Sequence, residues 1–117
     1  MKHGVAVPID STTTNEGLML ETMRQVFQEI MTAFPDIPII PVVGNNDVVY
    51  HDQAPTAENH EAYYTALWEI WFENVPANAH IAANDTIKGT WMQGGFYAYE
   101  LSDDIMILCL NGMYPFY

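Results

Sequence analysis

Apolar residues recur every three or four positions between Met19 and Phe34, which is the spacing of a helix with one buried stripe. The stripe consists of Met19, Met23, Val26, Phe27, Ile30, Met31 and Phe34. Just before it, Thr13-Thr14-Asn15-Glu16 has the form of a capping box, a threonine followed three residues later by glutamate. Pro35 cannot continue a helix. The pattern therefore predicts a helix that begins near this box, ends at the proline and places its methionines in the core.

The next segment, Ile37-Pro38-Ile39-Ile40-Pro41-Val42-Val43, is rich in β-branched residues. Such a run predicts a short buried strand, and its two prolines favour an edge position or an irregular beginning. The strand would lead directly into Gly44-Asn45-Asn46-Asp47.

Helical spacing returns near Thr56 and ends before Pro76. Its apolar positions are Ala62, Tyr63, Ala66, Leu67, Ile70, Trp71 and Val75, and we interpret the aromatic ones as packing residues. From Thr90 the pattern changes to strands, with residues 95–100 and 105–110 separated by a turn at 102–104. The order helix, strand, helix, hairpin predicts an α/β layer arrangement in one domain, residues 1–117.

Composition narrows the classes of function. Half of the 117 residues are hydrophobic and only 15% are charged, so the chain can form a core but has few charges to cover its surface. Fifteen acidic residues against three basic ones give a net charge of −12, which would repel a phosphate backbone and excludes nucleic-acid binding. No apolar run of 18 residues is present, so we expect no membrane span. The single cysteine, Cys109, lies in an apolar run and is expected to be a buried thiol.

The segment Gly44-Asn45-Asn46-Asp47 places polar side chains at the carboxyl end of the predicted strand, where α/β folds usually bind ligands. Taken alone, these four residues are also typical of a simple turn, which is the more economical interpretation. The wider string from Pro41 to Val48, followed by His51-Asp52-Gln53, resembles the Gly-Asn-His/Asn-Asp/Glu block of calcineurin-like metallophosphoesterases. The closest likeness is to the acid sphingomyelinase-like phosphodiesterase and endopolyphosphatase branch.

The resemblance extends over residues 16 to 114. Tyr64, Trp68 and Trp71 are similar to the helix after this block, and Gly94-Gly95-Phe96-Tyr97-Ala98 with Ile107-Leu108-Cys109-Leu110-Asn111 is similar to the family's Gly-Gly-Tyr-Tyr hairpin. It implies a partial αββα sandwich and a phosphodiesterase or phosphatase activity on a phosphate ester in the full-length protein.

The resemblance also implies roles for individual residues. Asn45 matches a ligand of one of two divalent metals, Zn, Mn or Fe, through its amide oxygen. Asn46 stands where many members have a histidine acid, and an asparagine there can only donate a hydrogen bond to a phosphoryl oxygen. His51 is a candidate proton donor or phosphate contact, although an exposed loop histidine is an equally good interpretation. Asp47 would orient the loop by accepting backbone hydrogen bonds.

The family's site also needs an Asp-x-His and a Gly-Asp block before this loop, and a lone histidine and a Gly-His-x-His block after it. Because these are absent from the sequence, we expect a fragment of a larger domain that is inactive alone and binds no metal stably. Uncovered sheet edges would favour self-association. Two alternatives remain: a non-catalytic α/β binding protein that retains half of the fold, and a small acidic domain whose loop is only a turn.

One sequon, Asn84-Asp85-Thr86, would accept a glycan in a secretory compartment. Together with the resemblance, it predicts a secreted, lysosomal or vacuolar location.

Overall fold

A computed structural model describes residues 15–44 and 57–112. Its helices are α1 (Asn15–Ala33), α2 (His60–Trp68), α3 (Ala79–Ala82) and α4 (Asp85–Gly94). A π-helical turn, Glu69–Glu73, extends α2, and a 3-10 turn, Pro76–Asn78, precedes α3. Two antiparallel strands, β1 (Tyr97–Ser102) and β2 (Ile105–Cys109), form a hairpin. The described part is thus mixed α/β, as the sequence predicts.

The first predicted helix is confirmed as α1, but its buried stripe differs from the predicted one. Val26 and Phe34 are 50% and 55% exposed, whereas Leu20, which the prediction left out, is fully buried. Leu20, Met23 and Phe27 follow one another at steps of three and four residues and form the line that faces the core. Val26 lies one position beside that line, and Phe34 follows the last residue of the helix.

The predicted strand over residues 37–43 is wrong for the described structure, in which this segment has no strand pairing. Pro38 and Pro41 have no N–H to donate to a ladder. Among the described residues, the backbone of Ile39 is instead bonded to the side chain of Asn78, at 2.8 and 2.9 Å. The segment therefore runs along the helical layer as an irregular link.

The second predicted helix is confirmed as α2 with its π-helical extension. Its aromatic residues pack in the core, since Tyr63, Tyr64, Trp68 and Trp71 are all buried. Thr56, near which the helix was predicted to open, lies outside the described residues, and a turn at 57–59 precedes His60.

The change to strands predicted from Thr90 is wrong for residues 90–94, which belong to α4. The Asn84 side chain caps this helix by accepting a hydrogen bond from the Ile87 N–H at 3.1 Å. Ile87 and Trp91, four residues apart, are both buried and fix the inner face of the helix. The Asn84 cap and the four-residue spacing of Ile87 and Trp91 are helix signals that the sequence itself contains.

The hairpin is confirmed. Tyr97 pairs with Cys109 and Tyr99 with Ile107 on the face that packs against the helices, and Cys109 is buried as predicted. On the outer face, Met106 and Leu108 are exposed. The hairpin has one inner face on the core and an apolar outer face.

Aromatic side chains dominate the core, and the fully buried Trp91 lies at its centre. The rings packed around it are those of Tyr64, Trp68, Trp71, Phe72 and Tyr97, with centroids 5.4 to 6.4 Å away. The Trp91 indole N–H donates to the Tyr64 carbonyl at 2.8 Å. This one side chain therefore connects α4 to α2 and to β1.

Gly95 ends α4 in the left-handed region, at φ 68°. A Cβ atom built there would lie 2.6 Å from Cε1 of Tyr64 and 3.2 Å from Nδ2 of Asn111. We expect Gly95→Ala to destabilise the chain by about 2 kcal/mol, because alanine disfavours this backbone region and the buried Tyr64 ring must shift. Urea denaturation followed by circular dichroism measures this change.

Gly89 is the matched control, since it lies in the same helix and a Cβ there meets nothing within 4 Å. Gly89→Ala is expected to stabilise the chain by about 0.5–1 kcal/mol through helix propensity and reduced freedom of the unfolded chain. Equal effects of the two substitutions would show that the Tyr64 ring does not restrict the space at Gly95.

Candidate functional site

The predicted site residues, Asn45, Asn46, Asp47 and His51, lie outside the described residues. The described chain reaches the beginning of the loop at Gly44 and continues after it at residue 57. The structure therefore describes the site through its two flanking segments. We call the one that ends at Gly44 the incoming stem and the one that begins at residue 57 the outgoing stem.

The incoming stem is held by Asn78, which is fully buried at the end of the 3-10 turn. Its side-chain Oδ1 accepts from the Ile39 N–H at 2.8 Å, while Nδ2 donates to the Ile39 carbonyl at 2.9 Å. The same Nδ2 donates to the Trp71 carbonyl at 2.8 Å. One amide thus substitutes for a neighbouring strand on Ile39 and ties this segment to the helix extension.

A second contact holds the stem nearer the loop. The Tyr97 hydroxyl donates to the Pro41 carbonyl at 2.6 Å and connects this segment to β1. Burial raises the pKa of the Tyr97 phenol above its usual range, and a hydrogen bond and charge interaction with the Cys109 thiol raise it further. The phenol therefore stays protonated and remains a donor at neutral pH. Val43, one residue before Gly44, is buried in the core.

The outgoing stem is packed onto α4. Asn59 is buried, and the ring of His60 contacts Tyr64 edge to face with 4.8 Å between centroids. His60 Nε2 also lies 2.8 Å from the Met92 carbonyl, a hydrogen bond in which the ring nitrogen is the donor. His60 is thus engaged in packing.

The sequence interpretation missed both Asn78 and Tyr97 as residues that fix the loop. Asn78 carries a recognisable signal, a single polar side chain in the otherwise apolar stretch Val75-Pro76-Ala77-Asn78-Ala79. Its partner, however, lies 39 positions away along the chain, and Pro41 is 56 positions from Tyr97. Sequence periodicity does not identify such distant pairs.

A third polar contact is made by Asn111, the asparagine that ends the hairpin motif. Asn111 is buried and its Nδ2 donates to the Gly94 carbonyl and to the Tyr64 hydroxyl, both at 3.1 Å. Asn111, which follows β2, therefore connects Gly94 at the end of α4 to Tyr64 of α2.

Within residues 15–44 and 57–112, no three His, Cys, Asp or Glu side chains come together in a way that could hold a metal ion. The helices of these two ranges are also too short or too polar to cross a bilayer.

Comparison with known proteins relates most of the chain to two phosphodiesterases. The chain is 31% identical over 108 residues to sphingomyelinase phosphodiesterase C of Dictyostelium discoideum, covering 91% of this chain and 22% of that protein. It is 26% identical over 110 residues to cyclic GMP-AMP phosphodiesterase SMPDL3A of Rattus norvegicus, covering 90% and 21%. No family model and no solved structure matches. The chain spans about a fifth of the length of these relatives.

Proposed function

We propose that this chain is a fragment of a metal-dependent phosphoric ester hydrolase of the sphingomyelinase-like or endopolyphosphatase-like branch, and that it contributes the loop 44–47 to the site. The observation that carries the proposal is the similarity to two phosphodiesterases over nine tenths of the chain. The alignment covers 91% of this chain, so the similarity concerns most of the chain and not one short motif.

In this proposal Asn45 ligates one of two divalent cations through its amide oxygen, and Asn46 donates a hydrogen bond to a phosphoryl oxygen. Asp47 orients the loop, and His51 is the candidate proton donor or phosphate contact. When bound, two cations of the Zn, Mn or Fe type lower the pKa of a water and stabilise charge on the transferring phosphate. The remaining ligands come from other parts of the domain, so the chain alone is inactive.

The anchoring contacts support this role for the loop. A ligand contributes to a metal site only when its backbone is held in place, because small displacements disturb the coordination geometry. Asn78 and Tyr97 fix the stem before the loop, and His60 lies in the helix packed after it. The described segments before and after residues 45–56 are thus both held by the core.

An apolar groove on the described structure supports the fragment interpretation. An apolar groove of about 620 Å³ lies between α1 and residues 39–42, and Met23, Val26, Phe27, Ile39 and Val42 are among its lining residues. Within the described structure, the buried indole N–H of Trp71, which also lines this groove, has no hydrogen-bond partner. A sheet layer of a larger αββα domain would cover the groove and provide neighbours for residues 37–43.

A chimera tests the proposal. The aligned segment of the Dictyostelium discoideum protein is replaced by the matching part of this chain, and hydrolysis of bis-(p-nitrophenyl) phosphate is measured with and without added Zn²⁺ or Mn²⁺. We expect metal-dependent turnover by the chimera and none by the chain alone. Asn45→Ala should lower turnover at least about tenfold, since even groups that merely orient a metal ligand cost 10–100-fold when removed.

Asn74→Ala is the matched control, because Asn74 is an exposed asparagine outside the loop, and it should leave turnover unchanged. A chimera that folds, binds no metal and does not hydrolyse the ester would reject the proposal and favour a non-catalytic binding protein. Metal-dependent turnover by the isolated chain would reject the claim that its site is incomplete.

A further inference from the structure

A second pocket lies between the hairpin and the segment 80–87, which includes part of α3 and the beginning of α4. Its volume is about 460 Å³, within the usual range of small-molecule sites. It is lined by His80, Ile81, Asn84, Thr86, Ile87, Ala98, Tyr99, Glu100 and Met106.

Asn84 and Thr86, two of these lining residues, belong to the one Asn-x-Ser/Thr sequon of the 117-residue chain. Asn84 lies in an exposed stretch together with Asp85 and Thr86. Its Oδ1 accepts the capping hydrogen bond from Ile87. Among the described contacts, Nδ2 has no hydrogen-bond partner. Within residues 15–44 and 57–112, the atom that glycosylation modifies is therefore free, and the atom that caps the helix is not modified.

We infer that Asn84 is the attachment site of an N-linked glycan whose first N-acetylglucosamine lies in this pocket. The step transfers the sugar from a polyprenyl-diphosphate-linked oligosaccharide. The bond from C1 to the diphosphate oxygen breaks, the Nδ2–C1 bond forms, one Nδ2 proton is released, and the lipid diphosphate leaves. The inference rests on the proposed function in one respect: the secreted, lysosomal or vacuolar location expected from the sequence depends on the same family assignment.

The pocket has an apolar wall and polar groups, the two kinds of surface that bind a sugar. The His80 and Tyr99 rings are packed edge to face, 5.8 Å apart, and their polar atoms form a hydrogen bond of 2.9 Å. Ring carbons of Tyr99 and the side chains of Ala98 and Met106 provide an apolar wall, while the phenol and the Glu100 carboxylate provide partners for sugar hydroxyl and amide groups. Met106 is 54% exposed and would be covered by the sugar.

The test is expression in eukaryotic cells behind a cleavable secretory leader, with analysis of both medium and cell lysate. We expect a mobility shift that peptide-N-glycosidase F removes, leaving aspartate at position 84 by mass spectrometry. Asn84→Asp keeps a good helix cap and Thr86→Val keeps Asn84, yet both should abolish the shift completely. Thr86→Ser keeps the sequon and should retain the shift.

Translocated chain without a glycan at position 84, or a shift that persists in both Asn84→Asp and Thr86→Val, would overturn the inference. The pocket is tested on high-mannose protein trimmed to one sugar, where we expect nuclear Overhauser contacts between the N-acetyl methyl group and the Tyr99 ring. A folded protein without these contacts would refute the placement of the sugar. Because the chimera assay does not depend on the glycan, failure here is distinct from failure of the proposed hydrolase.

Discussion

Replacing Trp91 by alanine is expected to lower the free energy of unfolding by about 3–5 kcal/mol, the usual cost of removing a large aromatic side chain from a core. Trp91 is fully buried and its ring contacts link α2, α4 and β1. The substitution removes those contacts and leaves the buried Tyr64 carbonyl without the indole donor, at 2.8 Å in the native chain. Urea denaturation monitored by circular dichroism should show a lower midpoint.

Two further variants separate the packing effect from a general effect of aromatic loss. Trp91→Phe keeps most of the ring volume but removes the N–H donor, so its cost should be smaller than that of alanine. Phe34→Ala removes an aromatic ring that is 55% exposed and should change stability by less than about 0.5 kcal/mol. A Trp91→Ala variant as stable as Phe34→Ala would show that the aromatic cluster does not organise the core.

Elements with a strong local signal are those that the sequence predicts correctly. The repeat of apolar residues in α1 and α2 and the alternation in the hairpin express the geometry of single elements, so they are visible without tertiary information. The predicted stripe of α1 is less accurate, because apolar spacing alone does not show which side of the helix is buried. Leu20 and Val26 are six residues apart, about 120° around the helix, and of the two only Leu20 faces the core.

The segment 37–43 shows the limit of local reasoning. Its β-branched residues favour an extended backbone, but a strand exists only where another strand provides hydrogen bonds. In the described structure Asn78 provides them to Ile39 instead. In the proposed larger domain the same sequence would lie beside further strands, so the sequence preference and the irregular local structure are compatible.

The candidate loop was identified by resemblance to a family, not by geometry. A turn is the more economical explanation of Gly44-Asn45-Asn46-Asp47 when these residues are considered alone. The roles of Asn45, Asn46, Asp47 and His51 therefore stay predictions. The structure adds the anchorage of the stem before the loop, through contacts between residues distant in sequence.

Replacing Asn78 by alanine is expected to cost about 2–4 kcal/mol, because three hydrogen bonds are lost and the buried backbone groups they satisfied are left without partners. Asn78→Asp should also destabilise the chain: a carboxylate can accept from the Ile39 N–H but cannot donate to the carbonyls of Ile39 and Trp71, and it places a charge in a fully buried position. Asn74→Ala, four residues earlier and exposed, should stay within about 0.5 kcal/mol.

Asn78→Ala also tests whether Asn78 positions the proposed metal-binding loop. In the chimera, Asn78→Ala should raise the metal concentration needed for half-maximal hydrolysis, because Ile39 and the stem of the loop are no longer fixed to the helix extension. Asn78 itself contacts neither metal nor substrate in the proposal, so a folded variant with unchanged metal activation would show that Asn78 stabilises the fold without positioning Asn45. A loss of metal activation at temperatures where the variant remains folded would instead identify it as a positioning residue.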